Sequence, residues 1–281
     1  MKSSCYFSLT KPGIIFGNLI TTIGGFYLVK PHASVTLLLF TLLGISLVIA
    51  SGCVFNNYID RDIDKLMERT KNRPSAQGLV SKKELLFFGT FLGLLGFSVL
   101  FFFTNILATL VALLGFFFYT IVYSLYFKRS SSYGTAIGSI SGAVPPVVGY
   151  CAASCAVDAG AIILFFMLVF WQMPHSYAIA IYRLEDYAAA KIPVLPVKKG
   201  LYYTKISMFA YTVIFAILST LPTFFGYTGK YYLATAILLG FYWIYISAKG
   251  FTTKRNALWA RKNFSFSILL ITLLCLIMAI N

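Results

Sequence analysis

NNYIDRDIDKLMERTKNRP, Asn56 to Pro74, holds nine charged side chains in nineteen residues, whereas the 22 residues before it, SVTLLLFTLLGISLVIASGCVF, hold none. A boundary this abrupt is that of a chain leaving hydrocarbon for water. The whole 281-residue sequence agrees: 59% of it is hydrophobic and only 11% charged, and its mean hydropathy is +0.83. That composition excludes a soluble globular domain and predicts an all-α, polytopic membrane protein.

A helix needs roughly 20 apolar residues to cross about 30 Å of hydrocarbon, so the uncharged runs convert into spans. Residues 12–29 and 31–59 give one each. The run 85–127 is too long for one helix and is expected to fold back at Thr104-Asn105. The run 130–182 divides near Asp158, 206–248 divides near Lys230, and 263–281 completes nine spans. With the N-terminus cytoplasmic, 21 of the 23 Lys and Arg residues fall on the inner side, leaving Lys30 and Lys230 outside, as the positive-inside rule requires. The net charge of +15 therefore describes one face of a membrane protein, attracted to anionic lipid, and gives no argument for nucleic acid. The first apolar run lacks a small-residue cleavage pattern and is expected to be a retained helix. The five cysteines form no CxxC. Cys151 and Cys155 are close enough in sequence to pair, but small residues packing between helices explain them better.

Seven of the eight acidic residues lie on the same side as the bases, in or beside two connections, 60–84 and 183–205. A shift of 122 residues lays one connection on the other, matching Asp64 with Asp186, Pro74 with Pro196, Gly78 with Gly200 and Lys83 with Lys205. The same shift superposes the second span on the sixth and the third on the seventh. A single domain results, in which spans 1–4 and 5–8 form a pseudo-repeat, span 9 is added, and both loops meet over a central cavity. On a helix continuing out of the membrane, Asn56, Asp60 and Asp64 share a face and Asp62 points away. Two carboxylates one turn apart repel unless a cation sits near them, and Mg²⁺ prefers one or two carboxylates plus phosphate oxygens. Arg69, Lys71 and Arg73 suit a metal that arrives on a polyanion, since guanidinium groups match phosphate geometry. Solvated juxtamembrane charge is the ordinary alternative; the spacing of four and the second acidic loop argue against it. The residues thus point to a metal diphosphate at the membrane surface.

NxxxDxxxD followed by RTKNRP resembles the aspartate motif of the intramembrane prenyltransferases, the UbiA superfamily. TKPGIIFGNLI at 10–20, YSLYFKR at 123–129, GSISGAVPPVVGY at 138–150, WQMPHSYAIAIYRLEDY at 171–187 and IPVLPVKKG at 192–200 extend the likeness nearly end to end, and it is greatest to the branch whose acceptor is haem. The resemblance implies nine helices around a cavity open to the bilayer, in a bacterial inner membrane. It implies transfer of a farnesyl group from farnesyl diphosphate to a vinyl group of haem B, giving haem O. It further implies Mg²⁺ held by Asp60, Asp64 and Asp186 as the catalytic carboxylates. Asn56, Asn57, Arg69, Lys71, Arg73, Lys128, Arg129, Tyr182, Arg183 and Lys191 would bind substrate. A haem-copper terminal oxidase or a haem A synthase would receive the product. Many superfamily members carry a second DxxxD. Here Ala190 stands four after Asp186, as in the haem branch, with Glu185 and Tyr182 as possible substitutes.

His175 lies within the sixth span, where a polar side chain is costly and often functional. It is a candidate haem ligand or a base for water capture, against the alternative of a histidine bonded to a neighbouring helix. His32 reads as an exposed loop residue. Pro145 and Pro146 would break the fifth span, either to widen the cavity or as ordinary tolerance of proline in membrane helices. Gly89, Gly93 and Gly96 read as helix-packing positions. Two other functions compete: the same fold acting on a quinone precursor, and a transporter. A transporter should carry ionisable groups near the bilayer midplane, whereas these acids gather at one surface.

Overall fold

The computed structural model describes residues 2–29 and 34–280; Lys30 and His32 lie outside the described residues. Among these, nine helices are long and apolar enough to cross a membrane, and there is no strand. They are α1 Pro12–Val29, α2 Val35–Asp60, α3 Lys82–Phe103, α4 Ile106–Ser130, α5 Gly134–Ser154, α6 Ala159–Tyr182, α7 Leu195–Phe224, α8 Lys230–Phe251 and α9 Asn256–Ala279. A short helix, Lys2–Leu9, precedes them.

Polar residues mark where the apolar runs divide. Asn105 caps α4: its Oδ1 accepts from Ala108 N–H at 2.8 Å while its Nδ2 donates to the Cys151 carbonyl at 2.9 Å. One side chain therefore starts a helix and ties it to α5. Asp158 caps α6, accepting from Gly160 N–H at 2.9 Å and from the Tyr150 hydroxyl. Ser81 and Glu84 form a reciprocal capping box at the start of α3, each satisfying an amide that the helix itself leaves unpaired.

Three boundaries differ from the sequence expectation. α7 begins at Leu195 rather than near 206, with Gly200 at φ 79 inside its first turns, and α9 begins at Asn256 rather than 263. Counting uncharged residues truncates a helix whose first turns carry bases into the headgroup layer, where long side chains reach water. α2 ends at Asp60, and Asp64 opens a separate 3₁₀ turn. The expected continuous helical face through Asp64 is thus replaced by a helix end and a turn beneath it.

α1 packs between α2, α5 and α9, and α6 packs between α5, α7 and α9. The crossing of α1 with α5 is close: a Cβ on Gly25 would lie 2.0 Å from the Pro146 carbonyl oxygen, and one on Gly149 would lie 2.1 Å from that of Thr22. Pro145 and Pro146 sit just after a break at Ala143, in the first turn of the second half of α5, where the missing N–H costs nothing. On α3, a Cβ on Gly96 would meet the backbone N of Val48 at 2.8 Å, which accounts for the glycine series as packing against α2. The interior holds Phe26, Leu100, Met167, Phe215 and Trp243. Phe87, Phe102, Leu238 and Phe241 face outward, where lipid replaces a protein partner. The cysteines are free, with Cys151 buried.

The two polar connections meet on one side. Ile63 and Met67 from the first form a buried cluster with Ala190 and Ile192 from the second, and Glu68 N–H donates to Asp186 Oδ1 at 2.9 Å. Gly78 and Gly200, which the 122-residue shift aligns, both adopt a positive φ, 72° and 79°, a conformation that favours glycine.

Candidate active site

Beneath the joined loops lies a cavity of about 1090 Å³, walled by α1, α2, α4, α5, α6 and α9. Its body is apolar, with Ile45, Val48, Phe116, Leu168 and Ile271. Its mouth is basic: Lys11, Arg69, Arg73, Lys128 and Arg183 all line it. An apolar channel ending in clustered cations suits an amphiphile with an anionic head.

The carboxylates stand one layer behind those bases. Asp60 and Asp64 are fully buried. Lys128 Nζ is paired with Asp60 Oδ2, and Asn56 Nδ2 donates to the same oxygen at 2.7 Å. Arg73 Nη1 spans both oxygens of Asp64 at 3.0 and 2.8 Å. That pairing pulls Asp64 inward and explains why the chain turns at Asp60. Asp60 Oδ1 is buried with no hydrogen bond among the described residues, and Arg129 Nη2 lies 3.8 Å from it.

The helix carrying Lys128 widens into a π-helical stretch over Phe118–Phe127, a feature frequent at functional sites. Ser124 Oγ donates to the carbonyl of Tyr119 at 2.8 Å and accepts from Asn56 Nδ2 at 3.1 Å. Tyr119, Tyr123 and Lys128, spaced four and five apart, thereby share the cavity wall.

Several expected site residues are engaged elsewhere. Asn57 does not line the cavity; its Nδ2 donates to the carbonyls of Leu9 and Cys53, both at 2.9 Å, and so pins the amino-terminal segment to α2. Lys71 pairs with Glu68 at 2.6 Å on the surface. Arg129 forks onto Asp62 with two 2.7 Å bonds, and this pairing holds the Asp62 carboxyl down at about 2. Lys191 is exposed at φ 53, and Glu185 is exposed. Asp186 joins the loops through Glu68 and lies 4.0 Å from Arg183; it does not line the cavity, whereas Tyr182 and Arg183 do. Among the described residues no three His, Cys, Asp or Glu side chains gather closely enough to hold a metal by themselves. Asp60, Asp64 and Asp186 are therefore not a preformed three-carboxylate site.

Sequence reasoning missed Lys11. It sits at φ 53 just before α1, its Nζ donates to Asn56 Oδ1 at 2.6 Å, and burial lowers it to about 8, with Arg73 and Lys128 adding repulsion. The TKPG stretch was the available signal, but one lysine in a short segment is indistinguishable by sequence from a topological charge.

On another wall lie Trp171, Gln172, His175 and Phe264. The His175 ring is stacked on Trp171 at 4.6 Å and packed against Phe264 at 4.8 Å. Gln172 Oε1 is buried without a hydrogen-bond partner among the described residues.

An apolar cavity with a cationic mouth, walled by six of the nine membrane helices among the described residues, defines an intramembrane protein that acts on an amphiphilic anion. The chain belongs to the UbiA prenyltransferase family, whose pattern it matches over residues 18–278. It is 52% identical over 277 residues to a protein named protoheme IX farnesyltransferase from Cronobacter sakazakii, covering 98% of this chain and 94% of that one. It is 53% identical, with the same coverage, to the protein of that name from Serratia proteamaculans. Among solved structures, a digeranylgeranylglyceryl phosphate synthase superposes with a TM-score of 0.81 at 21% identity, covering 99% of this chain and 98% of that one. A UbiA homologue from Archaeoglobus fulgidus bound to GPP and Mg²⁺ superposes with a TM-score of 0.72 at 16% identity, over 95% and 99%. At such identities the superpositions speak for the fold.

Proposed function

We propose that this prenyltransferase moves the farnesyl group of farnesyl diphosphate to a vinyl group of haem B, with addition of water, giving haem O and diphosphate. The observation that carries the reading is the cationic mouth of an otherwise apolar cavity, backed by two buried carboxylates. The names of relatives at 52% and 53% identity support the acceptor and the prenyl donor.

Lys11, Arg69, Arg73 and Lys128 bind the diphosphate in the cavity mouth and the apolar walls take the prenyl chain. As the carbon–oxygen bond breaks, its electron pair leaves on the diphosphate, and these fixed cations stabilise the charge that develops there. The vinyl carbon attacks the allylic cation, and water then captures the cation formed beside the porphyrin, releasing a proton. Walls that exclude water until the carbon–carbon bond forms prevent early hydrolysis. Mg²⁺ fits the donor set: Asp60 offers a buried oxygen without a hydrogen bond, and Asp64 offers a second carboxylate now neutralised by Arg73. Asp60 and Asp64 would hold the ion, which when bound neutralises phosphate charge; the solved homologue bound to GPP and Mg²⁺ supports this use. Asp186 then serves by holding the second loop against the first through Glu68. Arg73 and Lys128 are positioned to exchange a carboxylate partner for a phosphate one.

The basic face, and with it the N-terminus, is assigned to the cytoplasmic side of a bacterial inner membrane, in keeping with the distribution of Lys and Arg. The matched glycines support the pseudo-repeat of spans 1–4 and 5–8 within one domain. Haem O would pass to an oxidase or to an enzyme that oxidises its side chain.

The test incubates membranes containing the protein with haem B, farnesyl diphosphate and Mg²⁺, and in parallel with 4-hydroxybenzoate as acceptor, followed by mass spectrometry. Haem O in the first mixture alone is expected. Prenylated hydroxybenzoate without haem O would transfer the assignment to quinone precursors.

A further inference from the structure

The buried hydroxyl of Ser267, on α9, sits behind His175. Its Oγ lies 2.7 Å from His175 Nδ1 and 2.7 Å from the Phe264 carbonyl oxygen, to which it donates. A serine hydroxyl has one proton to give, and a neutral imidazole has one nitrogen that donates and one that accepts. If Nδ1 were bare, it and the Phe264 carbonyl, which already accepts a backbone N–H within α9, would compete for that single proton, and only one of the two Ser267 bonds could form. If Nδ1 carries the proton, His175 donates to Ser267, Ser267 donates to Phe264, and every member of the chain is satisfied. Buried polar groups settle into the arrangement that makes the most hydrogen bonds.

The rest of the ring is fixed from the same quarter. Trp171 and Phe264 cover its two faces at 4.6 and 4.8 Å, and Trp171 Nε1 donates to the Ser267 carbonyl at 2.9 Å. The edge bearing Nε2 has no hydrogen-bond partner among the described residues, and His175 lines the cavity.

We propose that Ser267 is a positioning residue that holds His175 in the Nδ1–H tautomer, so that the Nε2 lone pair is presented to the acceptor bound in the cavity. Whether the lone pair takes a proton from water or binds the porphyrin iron, the same tautomer serves, because the partner of one imidazole nitrogen decides what the other can do. The tautomer follows from the hydrogen bonds alone; its consequence for turnover rests on haem B being the acceptor.

The chain has only two histidines, so His32→Gln leaves His175 as the sole imidazole. Protein carrying that change and ¹⁵N-labelled histidine, in lipid nanodiscs near neutral pH, should show a proton on Nδ1 and none on Nε2. Ser267→Ala should move the proton toward Nε2, and Ser267→Thr, which keeps the hydroxyl, should keep it on Nδ1. In parallel, Ser267→Ala should lower kcat for haem O formation by about tenfold or more with KM for farnesyl diphosphate unchanged, and Ser267→Thr should restore it. Wild-type protein with its proton on Nε2, or a Ser267→Ala tautomer identical to wild type, would overturn the assignment. A switched tautomer with unchanged kcat would overturn the positioning role. Wild-type protein with the Nδ1–H tautomer that makes no product from haem B would refute the acceptor and leave the tautomer standing.

Discussion

Lys11 makes the diphosphate site sensitive to pH in a calculable way. Lys11 is half-buried as a residue, and its ammonium donates to Asn56 and is repelled by Arg73 and Lys128; burial of that group brings it to about 8 from an ordinary 10.5. In the free protein roughly nine-tenths of the molecules then carry the charge at pH 7 and roughly one-tenth at pH 9. A bound diphosphate, already fully ionised in that range, favours the ammonium and raises it again. Affinity for farnesyl diphosphate should therefore fall by about tenfold between pH 7 and pH 9, or about 1.4 kcal/mol. Stability moves the other way. The unfolded chain keeps this proton up to about 10.5 and the folded chain only to about 8, so this residue's contribution to stability rises with pH across that window. Opposite slopes for binding and folding separate a site effect from general alkaline damage. Equilibrium binding of farnesyl diphosphate to detergent-solubilised protein from pH 6.5 to 9.5 gives the first slope. Lys11→Arg, charged throughout, should flatten it, and Lys11→Met should bind at all pH values more weakly than wild type does at pH 9, where roughly one-tenth of the molecules still carry the charge. A wild-type profile flat between pH 7 and 9, or undiminished binding by Lys11→Met, would refute the placement of Lys11 in the phosphate site.

Other outcomes follow from the same geometry. Asp64→Asn keeps the volume but leaves Arg73 without its buried partner, and haem O formation should fall by about 100-fold or more, near 3 kcal/mol, in a protein that still inserts. Asp158→Ala removes the α6 cap and the Tyr150 partner at the far end of the bundle. It should cost about 1 kcal/mol, read as a drop in Tm of about 2–4 °C, with kcat unaltered. Gly25→Ala drives a methyl group against the Pro146 carbonyl and should destabilise by about 1–3 kcal/mol or more, seen as loss of the monodisperse peak in size-exclusion chromatography.

The number of helices was legible because hydrocarbon thickness imposes a length and charge cannot be hidden there; Asn105 and Asp158 stand at the divisions because each is also a cap. The two loops and their bases were legible from composition. What sequence could not give was the direction of each charged side chain. Asp60 and Asp62 are two residues apart, yet one is buried against Lys128 and the other is exposed against Arg129. Spacing predicted that divergence. It failed at Asp64, because the helix ends before it and the pairing with Arg73, nine residues on, sets the turn. Asn57 read as a ligand beside Asn56, but the Leu9 carbonyl it holds comes from a segment 48 residues away. Long-range partners of this kind are decided by tertiary packing, and the same holds for Ser267, 92 residues from His175.

The most direct measurement is of where the metal and diphosphate bind. Crystals grown with Mn²⁺ and a non-hydrolysable thio analogue of farnesyl diphosphate should show the metal's anomalous signal between Asp60, Asp64 and the phosphate oxygens. The diphosphate should lie among Lys11, Arg69, Arg73 and Lys128, with the prenyl chain running down the apolar cavity. Anomalous density away from both carboxylates, or a diphosphate outside that basic mouth, would contradict the account.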